Sequence, residues 1–133
     1  MPHVVLIPGD GIGPEITQSI QQIFKTAQAD IQWVECAAGE GAVATHGSPL
    51  PDGTIEAIER HRVALKGPLT TPIGAGFRSI NVALRQHFDL FANIRPARTL
   101  PGIDTPFRHV DMVLFRENTQ GLYIGRETWV QEG

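Results

Sequence analysis

Apolar positions change period along the chain, and the changes mark out alternating strands and helices. Val4-Val5-Leu6-Ile7 is a continuous apolar run stopped by Pro8-Gly9, which predicts a buried strand. Pro14 then stands where a helix would begin, with Glu15 in the first turn, where the helix dipole favours an acid. Ile16, Ile20, Ile23, Phe24 and Ala27 follow at helical spacing as one apolar stripe. Ile31 to Cys36 reads as a second strand and Gly39 to His46 as a short helix. Thr54 is positioned to cap a helix to about Arg60, with Ile55 and Ile58 inward, and Val63-Ala64-Leu65 is a third short strand.

A loop without a core pattern runs from Lys66 to Gly76. An ordered loop of that length is usually functional. Ser79 can cap a helix from Ile80 to His87 whose stripe is Ile80, Leu84 and Phe88. Leu90 to Arg95 is read as a strand ending at Pro96, and Val110 to Arg116 as another, with Met112-Val113-Leu114-Phe115 suited to burial on both faces. Strands alternating with helices predict an α/β chain, with helices packed on a mostly parallel sheet. No composition shift marks a second domain within residues 1–133, so a single domain is expected.

Composition narrows the class. The chain is 41% hydrophobic and 19% charged, which is globular and not disordered. Lys and Arg number 11 against 14 Asp and Glu, a net charge of −3 that argues against a nucleic-acid partner. No run reaches the roughly 18 apolar residues of a membrane span. A lone cysteine, Cys36, excludes an internal disulfide framework, and a cytoplasmic setting is expected. Gly9-Asp10-Gly11-Ile12-Gly13 is not a dinucleotide fingerprint, because Pro14 stands where the last glycine is needed. There is no P-loop, no paired-cysteine or His-Glu-x-x-His metal motif and no Gly-x-Ser-x-Gly elbow. The five histidines are scattered and read as surface or structural residues.

Polar residues gather at predicted element ends, where ligands bind an open α/β sheet. Asp10 follows the first strand and Lys66 the third; Arg95 and Arg116 end later strands. Asn81 and Arg85 are four residues apart and share a helix face, with Ser79 at that helix's start. Each alone reads as a cap, a turn or a solvated residue. Together they predict a site for a compound with several carboxylates or phosphates, which arginine grips bidentately.

Three segments in series resemble the N-terminal part of the β-decarboxylating dehydrogenases, which include the isocitrate, isopropylmalate and homoisocitrate enzymes. They are Gly9-Asp10-Gly11-Ile12-Gly13-Pro14-Glu15; the run from Lys66-Gly67-Pro68-Leu69-Thr70-Thr71-Pro72 through Arg78-Ser79-Ile80-Asn81-Val82-Ala83-Leu84-Arg85 to Asn93-Ile94-Arg95-Pro96; and Arg116-Glu117-Asn118-Thr119 with Tyr123 and Gly125. The resemblance implies an isopropylmalate-dehydrogenase-like fold. Ser79-x-Asn81-x-x-x-Arg85 is most similar to the NAD-dependent isocitrate branch, since a Ser/Asn pair can hydrogen-bond a third carboxylate and an alkyl-accepting surface cannot.

By that resemblance Ser79 and Asn81 would hold the carboxylate unique to isocitrate. Arg85, Arg95 and Arg116 would hold the other two, with Lys66 close by. Tyr123 would protonate the enol after CO2 leaves. Ile12 would line the cofactor cleft, and Thr70 and Thr71 would sit beside the nicotinamide of NAD. Mg2+ or Mn2+ would polarise the substrate carbonyl, its ligands lying outside this chain. The resemblance also implies a homodimer, or pairing with a longer subunit. Gln120 departs from the glutamate usual after Asn-Thr. Cytoplasm, or the mitochondrial matrix in a eukaryote, is the implied compartment.

Overall fold

The computed structural model describes residues 1–70, 79–121, 124, 128 and 130. They form two compact units, Met1–Asn81 and Val82–Gly133.

In the first unit, β1 (His3–Ile7) is the central strand of a three-stranded parallel sheet with order β2-β1-β3, flanked by β2 (Gln32–Glu35) and β3 (Ala64–Lys66). Val5 lies opposite Val34 on one side and Ala64 on the other. A strand hydrogen-bonded on both edges can be apolar on both faces, which is why Val5, Leu6 and Ile7 are almost wholly buried. Val5 and Ile7 face Ala38, with Leu50, Ala57 and Ile58 packed around them. Helix α3 (Asp52–His61) supplies the last two. Full burial of one such side chain is worth about 1.5–3 kcal/mol, so this small cluster anchors the unit.

Helix α1 (Gly13–Thr26) connects β1 to β2 and begins with Pro14 and Glu15 in its first turn, as the sequence predicts. Its apolar stripe is not sunk in a core. Ile23 is 65% exposed, Ile16 is also exposed, and Phe24 makes an edge contact with Trp33. The residues of α1 that are buried are Gly13 and Thr17. Helix α2 (Glu40–His46) is the predicted short helix.

The expected Thr54 cap is corrected. The helix begins three residues earlier, with Pro51 at the cap, and Thr54 is buried with its hydroxyl donating to the Ala37 carbonyl at 2.7 Å. A buried hydroxyl must find an acceptor, and the Ala37 carbonyl lies within its reach.

Helix α4 (Ile80–His87) has the predicted bounds, and Ile80 and Leu84 are buried.

The second unit contains an antiparallel pair, β4 (Ala92–Arg98) and β5 (Asp111–Glu117). Two expectations are corrected here. Pro96 does not end the strand; it lies within β4 opposite Val113, and proline is tolerated because β4 is an edge strand with no need for that donor. Met112, Val113, Leu114 and Phe115 are not buried on two faces but are 52–69% exposed. A two-stranded ribbon buries neither face unless another layer covers it.

Candidate functional site

The sheet of the first unit has one topological switch. The chain leaves β1 for β2 on one side and then crosses to β3 on the other, so the crevice at the carboxyl ends of β1 and β3 is where this fold class places ligands. Two loops line it, Pro8–Gly13 after β1 and Gly67–Thr70 after β3. They interlock through backbone. The Gly67 amide donates to the Ile7 carbonyl at 2.8 Å and the Asp10 amide to the Pro68 carbonyl at 2.8 Å. An added Cβ on Gly67 or Gly13 would strike the Pro8 carbonyl oxygen, and one on Gly9, whose φ is +81°, the Pro68 carbonyl oxygen. Glycine is required for this close approach.

Asp10 is the knot between these loops. Its carboxylate accepts the Thr70 amide at 2.7 Å and, through the other turn, the Glu40 and Gly41 amides at 3.1 Å each, at the start of α2. Partial burial pushes its carboxyl up, but the three amides outweigh that and hold it below the usual carboxylate range. The sequence marks Asp10 only as the residue after the first strand. Its part in joining segments 30 and 60 residues away has no local signal beyond the glycines around it.

Around this knot stand three predicted residues. Lys66 ends β3, is exposed, and donates from Nζ to the Gly67 carbonyl at 2.9 Å. Thr70 is exposed, its backbone fixed by Asp10. Ile12 is the cap residue of α1 and 66% exposed. Ile12 thus offers an apolar surface and Thr70 a hydroxyl at the mouth of the crevice. Thr71 lies outside the described residues. A hollow of about 650 Å³ opens beside the crevice, over the end of β2, lined by Asp10, Glu35, Cys36 and His46. Burial and the Glu35 carboxylate push the Cys36 thiol up, so it is not a poised nucleophile.

Ser79 is exposed immediately before α4, and Asn81 and Arg85 are half-buried on one face of it. In the second unit the register sorts the β4–β5 ribbon into two unlike faces. Ile94, Pro96, Val113 and Phe115 share one, ending in the Arg98–Asp111 ion pair at 2.9 Å. Asn93, Arg95, Leu114 and Arg116 share the other, with Asn93 directly opposite Arg116. Arg95 is the diagonal neighbour of Arg116, a relation that spans about 7–8 Å. Arg95 Nε donates to Asn93 Oδ1 at 3.0 Å. The register places Arg95 and Arg116 on one face, with Arg95 in the middle of β4 and not at the strand end that the sequence reading expected, because the strand runs on through Pro96 to Arg98.

The turn after β5 is tied by Glu117. Its carboxylate accepts the backbone amide and hydroxyl of Thr119, both at 2.7 Å, and the Gln120 amide at 2.8 Å, which pulls its pKa down to about 2. Gln120 thus contributes through its backbone. Tyr123 lies outside the described residues. Among the described residues no three His, Cys, Asp or Glu side chains come together as a metal site.

The family model for isocitrate/isopropylmalate dehydrogenase matches residues 3–133. Over 131 residues the chain is 47% identical to subunit 2 of the mitochondrial NAD isocitrate dehydrogenase of Saccharomyces cerevisiae, covering 98% of this chain and 35% of that protein. It is 46% identical to the chloroplastic 3-isopropylmalate dehydrogenase of Solanum tuberosum, covering 98% of this chain and 37% of that protein. The crystal structure of isocitrate dehydrogenase from Methylococcus capsulatus superposes with a TM-score of 0.88 at 47% identity, over 99% of this chain and 39% of that one. The chain spans a little over a third of the length of these proteins.

Proposed function

The chain belongs to the isocitrate/isopropylmalate dehydrogenase family, and on that premise we propose that it forms part of the substrate and cofactor sites of an NAD-dependent isocitrate dehydrogenase. The reaction would oxidise the secondary alcohol of isocitrate by hydride transfer to the nicotinamide. Loss of CO2 from the resulting β-keto acid would follow, and a proton would return to the enol to give 2-oxoglutarate.

The observation that carries this reading is the pairing of Arg95 and Arg116 on one face of β4–β5. Arg95 and Arg116 are diagonal neighbours across the two strands, a spacing that one polycarboxylate can bridge. Each fork can grip a carboxylate bidentately. Arg85 on α4 would add a third cation. Ser79 and Asn81 offer a hydroxyl and an amide to the carboxylate that distinguishes isocitrate from isopropylmalate, and this chemistry favours the isocitrate branch although the two relatives are equally similar. Ile12 and Thr70 would receive the cofactor, Thr71 would complete that edge, Lys66 would lie close to substrate, and Tyr123 would return the proton. When bound, Mg2+ or Mn2+ supplies Lewis-acid polarisation of the carbonyl, with ligands outside the described residues. A dimer, with the same chain or a longer subunit, belongs to the same reading, as does a cytoplasmic or mitochondrial-matrix setting.

The test is turnover of the purified protein, as its gene encodes it, on isocitrate and isopropylmalate with NAD and NADP in the presence of Mn2+. NADH formation from isocitrate is expected, and Arg95→Ala should weaken isocitrate roughly ten- to hundredfold, the loss of one charge-assisted contact. Preference for isopropylmalate, or an unaltered isocitrate constant in Arg95→Ala, overturns the assignment.

A further inference from the structure

We propose that Asn93 is a positioning residue that sets the substrate-gripping edge of Arg95, an inference that rests on the isocitrate reading above. An arginine in the middle of an exposed ribbon has many rotamers, and a binding site pays for each one frozen at the moment of binding. Arg95 is not left to search. Asn93 stands two residues before it on the same face and accepts its Nε–H at 3.0 Å.

The choice of nitrogen matters. Arginine can meet a carboxylate with its Nε/Nη side edge or with its two terminal nitrogens. With Nε engaged by Asn93, the side edge is closed and the Nη1/Nη2 end remains for an anion. Asn93 also lies directly across from Arg116, so an uncharged residue is the neighbour of both arginines on this face. An aspartate there would accept the same hydrogen bond but would neutralise the positive face, and an alanine would leave Arg95 without its tether. An amide holds the arginine in place without spending its charge.

The experiment compares Asn93→Ala, Asn93→Asp and Arg95→Ala in the protein as its gene encodes it. It measures the isocitrate and NAD constants separately, the melting temperature, and the Arg95 Nε–Hε resonance by NMR. Asn93→Ala should raise the isocitrate constant roughly three- to tenfold, the cost of ordering one long side chain, with the NAD constant and melting temperature unchanged and the Nε–Hε signal exchanging faster with solvent. The isosteric Asn93→Asp should keep the slow Nε–Hε signal yet weaken isocitrate more than alanine does, with a loss that shrinks at high salt. A parental isocitrate constant in Asn93→Ala beside a weakened Arg95→Ala overturns the positioning role and leaves the isocitrate site standing. Parental constants in both variants overturn the site itself. Equal losses for isocitrate and NAD, with a lowered melting temperature, assign Asn93 to folding alone and refute the proposal.

Discussion

Replacing Asp10 by alanine should loosen both the crevice and the fold, and the size of the effect follows from its three hydrogen bonds. The carboxylate accepts amides of Thr70, Glu40 and Gly41 at 2.7, 3.1 and 3.1 Å. All three donor residues are exposed, so on loss of the carboxylate their amides turn to water and pay no burial penalty. The net value per bond is then the ordinary 0.5–1.5 kcal/mol and not the cost of an orphaned donor. The three share one acceptor and do not add in full. A total of about 2 kcal/mol is expected, which lowers the melting temperature of a domain this size by roughly 8 °C. The native carboxyl lies below its ordinary range, so its contribution is complete at neutral pH. It fades as pH falls below about 5, where the unfolded chain begins to take up the proton while the folded one still resists. Thermal melts of parent and Asp10→Ala from pH 7 to pH 3 check both parts. The gap should be constant down to about pH 5 and then narrow. Identical melting temperatures at pH 7, or a gap that widens in acid, would refute the reasoning.

Gly67→Ala should destabilise by more than the 1–3 kcal/mol of ordinary overpacking, because the added methyl meets the Pro8 carbonyl and not a movable side chain; chemical denaturation reads this directly. Arg98→Ala should change stability by less than about 1 kcal/mol, since the ion pair with Asp111 is largely exposed, and the same denaturation series supplies the value. Ser79→Asp should abolish turnover of isocitrate by placing a like charge against a carboxylate, while Ser79→Ala keeps a measurable part; steady-state rates of the two variants separate a ligand contact from a helix cap.

The first unit was legible because its sequence signals are short-ranged. An unbroken apolar run stopped by Pro8-Gly9 reads as a buried strand, and β1 is one. Pro14 and Glu15 mark the start of α1 by the chemistry of free amides at a helix end. The second unit was less legible because periodicity reports which residues are apolar, not what covers them. Met112 to Phe115 carry the pattern of a doubly covered strand, yet the ribbon they form is open on both faces. Pro96 misled in the same way, since it forbids a central strand but not an edge.

The candidate site divides along a similar line. The candidate residues Lys66 and Arg116, which stand at or next to strand ends, could be picked out from order alone, and Arg95 was picked out although its strand runs on past it. Residues that act through other residues could not. Asp10 looks like one more turn residue until its carboxylate is seen holding amides from two distant segments. Asn93 looks like a strand polar residue until the register sets it across from one arginine and its amide oxygen beneath another. One arginine at a strand end is weak evidence, since most such residues are solvated. Two on one face, one of them held through Nε by an uncharged neighbour, set a guanidinium fork beside a second cation, and that arrangement is the physical ground for reading this face as a carboxylate receiver.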